Sequence, residues 1–214
     1  VPYDPLRDFT PIGEFAAFAS FVVVHPSVPA TNLAELAAWL RAQQGRVTCN
    51  GATVGSLLHI SMAMLIREWG VECPMTHYVQ AAQPDLLSGR TPVGVDNVGT
   101  TIGAVRGGQL RALAVTSRQR QANFPEVPAV AETIPGFEAL SWVGLYGPRG
   151  LPAPVVARLE AALAEAAAEA EVMARIDGMG GFMLPGGAAA LATRLAAEHA
   201  RWGQVIRENG IRLD

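Results

Sequence analysis

The stretch best suited to chemistry is Asn50-Gly51-Ala52-Thr53-Val54-Gly55-Ser56, which sets two glycines and two hydroxyls directly before an apolar run that starts at Leu57. The free N–H groups of a first helical turn, with the helix dipole, carry roughly half a positive charge and favour an anion. Thr53 and Ser56 would add hydroxyl donors, and glycine lets the backbone come close to a ligand. The plainer reading is that Ser56 caps the helix and the glycines only make the turn; the spacing matches neither a dinucleotide loop nor a phosphate loop. Ser56 with His59 offers a nucleophile and a base. Residues three apart on one helix are stacked by local geometry, however, Gly-x-Ser-x-Gly is absent, and no acid is placed to orient the imidazole. Asp96-Asn97 follows Val93-Gly94-Val95 at the carboxyl end of an expected strand, where a carboxylate either accepts from a ligand or caps the next helix. The histidines at 25, 59, 77 and 199 fall in no zinc spacing, so neither a metal nor a cofactor is expected.

Composition narrows the chemistry further. The chain has 214 residues, 50% of them apolar and 16% charged, with a net charge of −3. Its 16 basic residues are all arginine and are scattered, which argues against nucleic acid or an anionic membrane as partner. The absence of lysine removes Schiff-base chemistry, a pyridoxal anchor and a Walker-type phosphate loop. No run approaches the roughly 18–20 apolar residues of a membrane span, so direct membrane insertion is not expected. Val1-Pro2-Tyr3-Asp4 has neither a basic nor an apolar leader region, so a signal peptide, if the protein is exported, lies outside this chain. Cys49 and Cys73 are expected near opposite ends of neighbouring strands, roughly 10 Å apart at about 3.3 Å per residue. That exceeds the roughly 7 Å a disulfide tolerates, so both read as small core residues and leave the compartment open.

The elements that must position these groups alternate along the middle of the chain. After an irregular Pro/Asp start, residues 21–24 read as a buried strand, and Asn32 caps a helix with Glu35 three residues on. Residues 46–50 read as a strand, 56–69 as a helix ended by Gly70, and 75–78 as the next strand, a βαβ unit that implies a parallel sheet. A short helix at 83–88, a strand at 93–96, a helix at 98–106 and a strand at 110–115 continue the pattern and argue for an open, doubly wound α/β layer. The segment 140–147 is a second extended apolar run. Beyond it, 153–176 and 188–207 read as alanine-rich helices with apolar stripes and almost no strand to bury them. The expectation is therefore a complete lobe over 24–140 inserted into an incomplete first lobe made of 1–23 and 141–214, with crossings near 21–26 and 140–147.

An ordered series of motifs runs from residue 2 to the C-terminus: Tyr3-Asp4-Pro5-Leu6-x-Asp8-Phe9-Thr10-Pro11-Ile12, Gly55-Ser56-x-x-His59, Asp96-Asn97, Leu110–Ser117, Val127-Pro128, Ser141-Trp142-x-Gly144-Leu145, Pro152–Leu159 and Arg201-Trp202-Gly203. In this order they resemble the extracytoplasmic solute receptors of tripartite tricarboxylate transporters, the Bug family. The resemblance implies a type II periplasmic-binding-protein-like fold, α/β, with two lobes that each carry a mainly parallel sheet flanked by helices. It implies no enzyme activity, a periplasmic location, a small mono-, di- or tricarboxylate ligand, and delivery to the membrane permease of such a system. It assigns ligand contacts to Ala52, Thr53, Gly55 and Ser56, with others at Tyr78, Gln80, Ala81 and Asp96. Family members normally begin with a first strand and a glycine-rich loop that this chain lacks, and Val79-Gln80 stands where a basic residue and glycine are usual. A degenerate, receptor-like interaction or sensory module is the alternative, and a serine hydrolase built on Ser56 and His59 is a distant third.

Overall fold

The computed structural model describes residues 2–78 and 83–212. Its strands and helices gather into two compact units. Unit 1 comprises Val1–Phe18 and Ser141–Gln204, and unit 2 comprises Ala19–Leu140 and Val205–Asp214.

Unit 2 is a five-stranded sheet made of β2 (Ser20–Val24), β3 (Cys49–Asn50), β4 (Met75–Thr76), β5 (Val93–Asn97) and β6 (Arg111–Val115), in the order β4-β3-β5-β2-β6. β3 runs parallel to β4 and β5, as the βαβ pattern requires. β2 is antiparallel to both of its neighbours, β5 and β6. The expectation of a mainly parallel sheet is corrected on this point: the strand that enters the unit lies between two strands that point the other way. Residues 21–24, where a crossing was expected, form most of β2, and every residue of that strand is buried.

The sheet is covered by α1 (Leu33–Gln43), α2 (Leu57–Trp69), α3 (Gln83–Leu87) and α4 (Val98–Arg106). Asn32 caps α1, its side chain accepting the Glu35 N–H at 2.9 Å, and Leu33, Leu36 and Leu40 face inward. One face of the core joins Phe21, Val23, Leu86, Val98, Leu110 and Val115 to Phe124 and Val127 of the proline-rich link. The Phe21 and Phe124 rings meet edge to face at 5.4 Å. Burial of several such side chains, each worth about 1.5–3 kcal/mol, is what fixes the sheet beneath the turn.

Cys49 and Cys73 form a disulfide with Cα atoms 5.7 Å apart, which overturns the reading of two separate core thiols. The cause is register. β3 and β4 are two residues long and Cys49 stands opposite Met75, so Cys73 lies only two residues before its partner's position instead of at the far end of a longer strand.

Unit 1 also differs from expectation. Residues outside 24–140 were expected to supply hardly any strands, yet β1 (Phe9–Phe18) is ten residues long and pairs antiparallel with β7 (Ser141–Pro148) and β8 (Gly181–Met183). The alternation of β1 is obscured in the sequence by Pro11 and Gly13, and irregular register falls between Pro11 and Gly13 and between Glu14 and Ala16. The helices are α5 (Ala153–Ala168), α6 (Ala170–Gly178) and α7 (Ala188–Glu208); the single helix expected over 153–176 is broken at Glu169, whose backbone is extended. Glu14 of β1 is buried, ion-paired with Arg194 of α7, and its N–H donates to the Gly186 carbonyl at 2.6 Å. The hydroxyl of Tyr146 is buried with no hydrogen-bond partner among the described residues, and burial followed by the nearby Glu14 charge raises its pKa above the usual 10.0.

Candidate functional site

The turn Gly51–Ser56 leaves the carboxyl end of β3 and enters α2, and it is tied to the end of β4 on both sides. Gly51 N–H donates to the Thr76 carbonyl at 2.9 Å, Tyr78 N–H to the Ala52 carbonyl at 3.0 Å, and the Thr53 hydroxyl to the Tyr78 carbonyl at 3.0 Å. Inside the turn, Asn50 Oδ1 accepts the Ala52 N–H at 3.0 Å, and Ser56 N–H donates to the Thr53 carbonyl at 3.0 Å. Two positions need glycine or a tolerated strain. Gly55 has φ +76°, and a Cβ on Gly51 would stand 2.7 Å from the His77 ring. Ala52 also holds a positive φ of 47°, which its bonds to Asn50 and Tyr78 enforce.

Ser56 is the N-cap of α2, its Oγ accepting the His59 N–H at 3.2 Å. That leaves the Ser56 hydroxyl proton free to donate. The N–H groups of Leu57 and Leu58, in the first turn of α2, take no hydrogen bond among the described residues. The dipole end of a 13-residue helix is therefore left with two amides and a hydroxyl to offer an anion.

The other residues expected at the site are accounted for one by one. The Thr53 hydroxyl and the amides of Ala52 and Gly55 are spent within the turn or on its neighbours. The Tyr78 hydroxyl donates to Asp85 at 2.6 Å, and Arg90 is ion-paired with the same carboxylate. Tyr78 is held above the usual 10.0 by burial first and by its bond to Asp85 second. Asp96, the buried penultimate residue of β5, accepts the Asn97 N–H at 2.8 Å and the Thr100 hydroxyl at 3.3 Å through Oδ1, so it serves the start of α4. Burial holds the Asp96 carboxyl above the usual 3.8, against the pull of those two donors. Gln80 and Ala81 lie outside the described residues.

Two histidines outside the expected set of ligand contacts also stand at the turn: His59, weighed above only as a base for Ser56, and His77. His59 is 5% exposed and accepts the Gly55 N–H at Nδ1, 3.0 Å away. Its ring meets that of His77 edge to face at 4.5 Å. His77 Nδ1 lies 3.2 Å from the Gly51 carbonyl and 3.3 Å from that of Ala52, so it carries a proton and donates to both. The sequence held one signal for this: His59 sits one turn into a helix and His77 one residue past a strand, the two ends that a βαβ unit brings together. The same geometry removes the nucleophile–base pairing. The lone pair of His59 Nδ1 is engaged by Gly55, and Ser56 Oγ receives the backbone N–H of His59, not its ring.

A family described as "Tripartite tricarboxylate transporter family receptor" matches residues 1–211. The chain belongs to this family. Its members are periplasmic solute-binding receptors rather than enzymes. Among curated relatives of this receptor, a UPF0065 protein from the tcbD-tcbE intergenic region of Pseudomonas sp. strain P51 is 32% identical over 97% of this chain and 63% of its own length. Protein BugT of Bordetella pertussis is 29% identical over 100% of this chain and 66% of its own length. The receptor chain thus spans just under two thirds of these relatives. Among solved structures, R. palustris Rpa4515 with adipate superposes with a TM-score of 0.85 at 28% identity, over 98% of this chain and 71% of that one. MatC of Rhodopseudomonas palustris with bound malate gives 0.80 at 26% identity, over 96% and 72%. The α/β fold of the receptor is therefore that of the Bug periplasmic binding proteins across about 70% of their chains, with sheets that are partly antiparallel.

Proposed function

We propose that this receptor captures a small carboxylate, with one carboxyl group seated on the N-terminus of α2 at the Gly51–Ser56 turn, and delivers it to the permease of a tripartite tricarboxylate transport system. The observation that carries the reading is the free donor set: the Leu57 and Leu58 amides and the Ser56 hydroxyl converge at a helix N-terminus in a member of a solute-receptor family. Adipate and malate, the acids in two structural relatives, each present a carboxylate that such a set suits. A periplasmic setting agrees with the Cys49–Cys73 disulfide, since disulfides persist in that oxidising compartment.

The function is tested by a thermal-shift screen of mono-, di- and tricarboxylates, adipate and malate included. A ligand at 100 times its Kd adds about 2.7 kcal/mol to stability, a plain upward shift. No shift with any acid overturns the reading. One observation favours a second reading, a receptor-like interaction module: the Thr53 hydroxyl and the amides of Gly51, Ala52, Gly55 and Ser56 are already engaged within the protein. In that case a Ser56→Ala, Thr53→Ala variant keeps its protein partner, whereas in the transport reading the same variant loses carboxylate affinity.

A further inference from the structure

The pair His59 and His77 is unused by the proposed capture step, yet it is built into the turn that would perform it. The bond from Gly55 N–H to His59 Nδ1 fixes the tautomer of His59, because a backbone amide only donates. A protonated His59 has no lone pair at Nδ1, so two donors would face each other at 3.0 Å. His77 behaves in the opposite way. Its Nδ1 donates to the Gly51 and Ala52 carbonyls whether the ring is neutral or cationic, so a proton on Nε2 leaves the turn intact.

We infer that His59 and His77 form a proton-operated latch on the turn, in which neutral His59 holds Gly55 in place and cationic His59 releases it, so that acidification lowers carboxylate affinity. The inference rests on the reading of the turn as a carboxylate site.

Neighbouring charges support a neutral His59 in the folded chain. The titratable group facing His59 is His77, from the segment after β4. The carboxylates on the elements nearby are committed elsewhere: Asp85 of α3 to Tyr78 and Arg90, and Asp96 of β5 to Asn97 and Thr100. On α2 itself, Arg67 and Glu68 lie at the far end of the helix. With no acid among the described residues to stabilise a cation there, burial first and His77 second push His59 below the usual 6.5. A charge on the exposed His77 ring, 4.5 Å away, opposes one on His59. The sign for stability follows: the unfolded chain binds a proton at His59 that the folded chain refuses, so stability is complete above 6.5 and is lost as pH falls from there toward the folded value.

The test is an imidazole and amide NMR titration of the ligand-free protein, joined to adipate affinity at several pH values. The latch predicts a neutral His59 protonated at Nε2, titrating below the usual 6.5. It also predicts that protection of the Gly55 amide from exchange is lost in step with His59. Adipate affinity should fall roughly tenfold across the same midpoint, the worth of one unmade buried hydrogen bond. His77→Gln removes the opposing charge and moves that midpoint to higher pH, which protonation of adipate itself does not do. A Gly55 amide indifferent to the charge on His59, or an adipate affinity that does not change across the His59 midpoint, overturns the latch. A Gly55 amide that switches in a protein that binds no carboxylate at any pH leaves the latch standing and defeats the proposed function instead.

Discussion

Ser56 carries two tasks at once, and they separate in a substitution. As the N-cap of α2 it accepts the His59 N–H, and loss of such a cap costs about 1 kcal/mol. Its hydroxyl proton is the donor left for a ligand. Ser56→Ala should therefore lower the urea midpoint by that modest amount while weakening carboxylate binding further than the stability change explains, as calorimetry on the folded variant would register. Asp96 makes the opposite case. Its carboxyl is held above 3.8 by burial, so the folded chain binds more protons than the unfolded chain just above that value, and stability declines as pH rises through the window. At neutral pH the ionised group is a net cost. Asp96→Asn keeps an oxygen to accept from Asn97 and Thr100, and it should raise the denaturation midpoint at pH 7, with the gain vanishing below pH 4. A destabilised Asp96→Asn at pH 7 would show that the charge, not the acceptor, holds the start of α4.

At the scale of elements, the site depends on β3, α2 and β4 acting as one piece, and the Cys49–Cys73 disulfide closes that piece into a covalent loop with a sequence separation of 24. By loop entropy alone such a crosslink is worth about 3 kcal/mol. Replacing both cysteines with serine should lower stability by roughly that amount in denaturant titration, and should loosen the His59–His77 contact before the hydrophobic face of unit 2. An unchanged midpoint would show that the short strands are held by packing alone. The βαβ order and the helix that begins after Ser56 were legible because hydrophobic period and capping are local signals. The disulfide was not, because it follows from a register between two-residue strands that no local pattern encodes. β1 was hidden for a related reason: Pro11 and Gly13 interrupt its alternation, and only pairing with β7 makes a strand of it. Thr53 was legible as a hydroxyl at the right place, but its commitment to the Tyr78 carbonyl depends on where the next strand ends.

For the whole molecule, each unit states its own terms. Unit 2 has a closed core around Phe21 and Phe124. In unit 1, α5 buries none of its residues, and Val143, Leu145, Val155, Leu159 and Phe182 are all exposed. Apolar surface of this kind drives association. The 214-residue chain expressed by itself should self-associate, with light-scattering mass rising with concentration; a monodisperse monomer with cooperative unfolding would contradict that expectation. Capture of a carboxylate at the turn of unit 2 is tested by the amide chemical shifts of isotope-labelled protein titrated with adipate and malate. The Leu57 and Leu58 amides should move to saturation with one of these acids, and Ser56→Ala should weaken the response. Amides at Leu57 and Leu58 that stay still while the acid binds elsewhere, or does not bind, would contradict it.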